Sequence, residues 1–134
     1  MLFFYTGPPI EITLQPRTVI SFVTAPYNTF TLNCTAIVHD TIIVPKTFHW
    51  RMFFGGQDAE ISSDGERFVI TDMNLNDPTS SRILRVVENT PGTYQYVCTA
   101  VLQFPGEQDD VMTSSSTNVT VQGKAVHTHD VLLN

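Results

Sequence analysis

Cys34 and Cys98 are the residues with the plainest chemistry in this chain. They can join in one disulfide, and their separation excludes a CxxC redox or metal motif. The four histidines stand apart: His39 in a loop, His49 on a strand, and His127 and His129 in the tail. A nucleophile needs a base within hydrogen-bond reach, and no known arrangement maps onto these positions, so no enzymatic activity is expected. His127-Thr128-His129-Asp130 has ligand-type residues. Two histidines two apart in such a tail rarely build a structural site, so no metal and no other cofactor is expected. Glu107, Asp109 and Asp110 follow Phe104 closely; calcium among these acids and a plain solvated loop are both open. Asn33-Cys34-Thr35 and Asn118-Val119-Thr120 are acceptor sequons for N-glycosylation, with an unmodified polar strand residue as the other reading of each.

The elements that must position these residues are strands. Of 134 residues, 41 are Thr, Val or Ile, a β-branched bias that favours strands over helices. Charged residues make up 15% and hydrophobic ones 42%, which excludes a disordered tail. No apolar stretch approaches the ~18 residues of a spanning helix, so no membrane insertion of this fragment is expected. The net charge of -6, with no basic cluster, argues against nucleic acid as a partner.

Short alternating runs recur at roughly ten-residue spacing, the pattern of a sandwich or barrel. Ile10, Ile12 and Leu14 alternate with polar residues until Pro16, and Thr18 to Val23 forms a second short run. Phe30, Leu32, Cys34 and Ala36 share one strand face. Phe48, Trp50 and Met52 share another, with His49, Arg51 and Phe53 opposite. Leu84 pairs with Val86; Tyr94, Tyr96, Cys98 and Ala100 form a further face; Thr117, Val119 and Val121 close the series. The organisation expected is an N-terminal segment 1–9, one domain over 10–122, and a C-terminal linker or tail 123–134. Met1 to Pro9 lacks the basic start, apolar core and cleavage site of a secretory signal, and reads as the start of an excised fragment.

Trp50 lies 16 residues after Cys34 and 48 before Cys98, and Tyr96 precedes Cys98 by two. With Leu84 and Val86 at the spacing of an E strand and Glu66 to Ile70 at that of a D strand, the chain resembles an immunoglobulin-superfamily domain over about Ile10 to Gln122. The resemblance implies an all-β, two-sheet antiparallel Greek-key β-sandwich, variable-like or intermediate in type, with a C′ strand and no C″. It implies a Cys34–Cys98 bond between the sheets, covered by Trp50, with Tyr96, Leu84 and Val86 in the core. Closing a loop of about 65 residues would contribute about 4 kcal/mol in the chain-entropy model. Such a bond points to an oxidising, extracellular or cell-surface setting.

The chain departs from the family in one stretch, Gly92-Thr93-Tyr94-Gln95-Tyr96-Val97-Cys98. Gly92 stands where the family places Asp, so Arg67 lacks its usual acid. The Gly-Thr-Tyr is displaced by two residues, which leaves the corner role of Tyr96 open.

The resemblance implies a protein-binding module of a receptor or adhesion protein, with neighbouring domains and a protein ligand or homophilic partner; a structural spacer is the alternative. The expected contact surface is the outward C–F face, carrying His49, Arg51, Phe53 and Val97. A plain surface without a partner, or coverage of that face by the segment Gln57 to Ile61, are the competing readings. The B–C segment adds Ile42 and Ile43, a recognition loop, a plug for the open end or the beginning of strand C, and Phe104 stands at the F–G loop.

Overall fold

A computed structural model of the chain describes residues 9–39, 46–103 and 111–123. These contain nine strands and no helix: β1 Ile10–Gln15, β2 Thr18–Phe22, β3 Thr29–Val38, β4 Lys46–Phe54, β5 Gln57–Glu60, β6 Phe68–Met73, β7 Thr79–Val87, β8 Gly92–Leu102 and β9 Val111–Gln122. They form two sheets, ordered β1-β3-β7-β6 and β2-β9-β8-β4-β5. The inner faces bury Leu32, Cys34, Ala36, Leu84 and Val86 from the first sheet against Phe48, Trp50, Tyr94, Tyr96, Cys98 and Val119 from the second. The result is a β-sandwich, as the period-2 alternation requires when one face of each sheet is withdrawn from water.

Cys34 and Cys98 are bonded, with Cα atoms 6.4 Å apart, and the bond joins β3 of one sheet to β8 of the other. Trp50 sits in register with Cys98 across β4 and β8, and is buried. The seven-residue stretch from Ile61 to Arg67 leads back to the four-stranded sheet without a further strand; the Asp64 carboxylate turns it by accepting from the amides of Glu66 at 2.8 Å and Phe68 at 3.0 Å.

One pairing departs from the antiparallel expectation: β2 runs parallel to β9. Pro16 has no amide to continue the β1 ladder, and the chain changes sheets there. The inward Thr117 hydroxyl holds the crossing point by donating to the Pro16 carbonyl at 2.8 Å.

Two arginines brace the side of the sandwich where β6 and β7 face β4. Arg82 shares the strand face of buried Ser80 and Leu84 and reaches between the sheets, pairing with Asp72 (2.8 Å) and donating to the Phe48 carbonyl of β4. Nearer the opposite end of the strands, Arg67 donates to Glu88, its Nε at 3.0 Å, and stands 4.8 Å over the Phe68 ring. The Glu88 side chain is only 5% exposed. Arg67 therefore does have an acid, but Glu88 supplies it from the β7–β8 connection rather than a residue at position 92.

Candidate interaction face

The outward side chains of the five-stranded sheet stand in rows set by strand register. Thr47 meets Val101 and Met112; His49 meets Thr99 and Ser114; Arg51 meets Val97 and Ser116; Phe53 meets Gln95 and Asn118. His49, Arg51, Phe53 and Val97 are therefore brought together on one face, as expected. Phe53 is 36% exposed, and Val97 and Val101 are half-buried by their neighbours.

β5 does not cover this face. It extends the sheet edgewise beside β4, with all four residues exposed. Its acids instead engage the basic column of β4. Asp58 accepts from Arg51 at 2.7 and 2.9 Å, and Glu60 lies 3.7 Å from His49. With the Arg51 charge matched by Asp58, the centre of the face presents hydroxyls and apolar groups; Thr99 and Ser114 bond to each other at 2.7 Å.

Two large apolar residues on this face escaped the sequence reading. Met112 is 66% exposed at the end nearest the β8–β9 connection, and Ile20 is 63% exposed on β2. Counting back by twos from inward Thr117 assigns Ser115, Thr113 and Val111 inward, and Ser116, Ser114 and Met112 outward. The run of three serines carries no hydrophobic alternation, which hid the first half of β9.

The four-stranded sheet also has an outer face, and it is not polar throughout. Asn33 stands between Gln15 and Ile83 in the middle of it, with Ile37 and Met73 exposed nearby. Both sequon asparagines, Asn33 and Asn118, are exposed and point away from the core, one on each sheet. Asn118 shares a row with Phe53, so a glycan there would reach the Phe53 end of the five-stranded face and leave the Met112 end open.

Near the β4–β5 turn a small cleft is lined by Met52, Phe54, Arg67, Glu88 and Tyr94. Its groups satisfy one another. Phe54 stacks on Tyr94 with ring centres 4.2 Å apart, and also fills the space where residue 92 would carry a Cβ, which explains glycine there. The Tyr94 hydroxyl donates to the Thr90 carbonyl at 2.7 Å. Burial, aided by the Glu88 carboxylate, pushes the Tyr94 phenol up to about 12, and the same causes raise that of Tyr96.

Ile42, Ile43 and Phe104, together with the acids Glu107, Asp109 and Asp110 and the histidines of the tail, lie outside the described residues. Among the described residues no group of three or more metal-ligating side chains converges. No helix among them is long and apolar enough to cross a membrane. The buried disulfide fits a domain of an oxidising, secreted or extracellular setting. No family model matches the chain, and no curated protein matches it.

Proposed function

We propose that the chain is an immunoglobulin-like domain working as an extracellular protein-binding module, and that it binds through the outward face of β4, β8 and β9. The strand order, the disulfide between sheets and Trp50 opposite Cys98 support the family reading. On that reading β1 and β2 are the split A strand, β5 is C′, and the hydroxyl contact of Tyr94 is the tyrosine corner, moved two residues upstream.

The observation that carries the binding proposal is that Met112, Val101, Val97 and Phe53 stand outward on one face, with the bonded Thr99–Ser114 hydroxyls between the first two and the last two. The Arg51 charge on that face is already matched by Asp58 within the sheet, so a partner covers apolar area without stripping water from an unpaired guanidinium. The surface suits a protein ligand or a second copy of the domain; nothing about it suits nucleic acid.

The test uses the full chain, secreted from cultured cells behind a heterologous leader and tetramerised for staining a panel of cells, with sedimentation velocity reporting self-association. Val97→Asp and Met112→Asp each place a charge in the contact and should abolish binding. Arg85→Asp, on the outer face of the other sheet, should leave it intact. If both face variants bind as wild type does, the spacer reading replaces this one.

A further inference from the structure

The two sequons are alike in sequence and both lie on strands flanked by neighbours on each side, but only one is tied to the disulfide. Asn33 and Thr35 straddle Cys34, whose side chain points inward to Cys98. In the folded domain β3 is paired with β1 on one side and β7 on the other. The Thr35 hydroxyl, which a glycosyl transferase must read, lies 2.9 Å from Ser81 Oγ and 3.4 Å from Asn33 Oδ1. A sequon fixed in the middle of a sheet cannot enter an enzyme groove as a free, bent segment. Sugar must be attached before β3 is locked in place.

Synthesis runs from the N-terminus, so Asn33 emerges with Cys34 as a free thiol, 64 residues ahead of its partner. Asn118 emerges after Cys98, on a strand the bond does not hold. We propose that Asn33 is an N-glycan acceptor whose occupancy is set by competition with closure of the Cys34–Cys98 bond, whereas Asn118 is an acceptor independent of that bond. The proposal rests on the extracellular reading above.

The competing steps are these. In transfer, the C1–O bond of a lipid-diphosphate-linked oligosaccharide breaks, its electron pair leaving with the diphosphate. A C1–N bond forms to Asn33 Nδ2, and the amide loses one proton to a base on the transferase. In closure, the two thiols give up two protons and two electrons to the disulfide of an oxidoreductase, which becomes a dithiol. Whichever occurs first decides the outer surface of the β1-β3-β7-β6 sheet. With sugar, the row of Asn33 and Ile83 is covered; without it, Ile83, Ile37 and Met73 face the solvent.

The experiment expresses the full chain behind a heterologous leader in cultured mammalian cells and measures occupancy of each sequon by glycopeptide mass spectrometry on newly made protein. Cys98→Ser leaves both sequons unchanged and removes the bond. The expected result is a rise in Asn33 occupancy that exceeds any change at Asn118. Cys34→Ser, which removes the same bond and leaves an Asn-Ser-Thr acceptor at Asn33, is expected to raise Asn33 occupancy in the same way. An equal rise at both sites in Cys98→Ser, no rise at Asn33, or Asn33 empty in both proteins would overturn the proposal. None of these readouts depends on a ligand, so failure of the binding proposal leaves them unaffected, and the reverse holds too.

Discussion

The Tyr94 hydroxyl donates to the Thr90 carbonyl, while the Tyr96 hydroxyl two residues on is buried without a hydrogen-bond partner. The two rings lie 6.2 Å apart and both residues are buried, so burial alone does not separate them. Tyr94→Phe should cost about 0.5–1.5 kcal/mol, the net value of one such bond. Tyr96→Phe should be neutral or stabilising, because it removes a buried polar atom that has no partner. Urea denaturation of both variants decides it; the reverse order of stabilities would return the corner role to Tyr96.

The same phenols give the domain a dependence on alkaline pH. A folded-state value raised to about 12 for Tyr94 means that folding favours the protonated phenol. That contribution is fully present below about pH 10, where the unfolded phenol titrates, and is lost as pH rises through the folded value. Unfolding midpoints should therefore fall across this window, and fall less steeply in Tyr94→Phe. A flat profile would contradict the assignment.

Trp50→Ala should destabilise the domain by about 3–5 kcal/mol, since it empties the largest buried site. His49, its exposed neighbour in sequence, should tolerate alanine within about 0.5 kcal/mol. Denaturation midpoints measure both.

Glu88 is the buried end of the Arg67 pair, so Glu88→Ala should cost about 1.5–3 kcal/mol, the range for hydrogen bonds to charged groups. Removing Asp58, whose pair with Arg51 is exposed on the sheet rim, should leave the denaturation midpoint close to that of wild type. A double-mutant cycle on each pair separates the two cases.

Intact-mass measurement after alkylation, without reduction, should find no alkylated cysteine in the folded protein. Two alkylated cysteines in a cooperatively folded domain would remove the inter-sheet bond from the account.

The core was legible in the sequence wherever inward positions are apolar at every second residue. Phe30 to Ala36 and Tyr94 to Ala100 carry that signal without interruption, and every inward residue of both runs is buried. The signal fails where an inward position is polar. Arg82 shares the inward side of its strand yet reads as a surface residue, because its partial burial depends on its pair with the exposed Asp72 and on the Phe48 carbonyl in the opposite sheet. The acid for Arg67 was missed because Glu88 stands four residues before position 92, where the family pattern directs attention. On the candidate face, β4 and β8 were readable from their alternation, while Met112 was hidden behind the serines of β9.

The parallel course of β2 beside β9 governs how the domain would carry a load. The N-terminal side of the chain enters β1 at the end where β9 begins, and the chain leaves β9 at the opposite end. A pull along the strands from both sides therefore slides β2 and β9 past each other lengthwise. Their registered pairs, from Thr18 with Asn118 to Phe22 with Gln122, share that force together instead of parting one after another. Beyond this ladder the inter-sheet disulfide stops extension between Cys34 and Cys98, so tension applied through the chain frees at most the segments outside that loop.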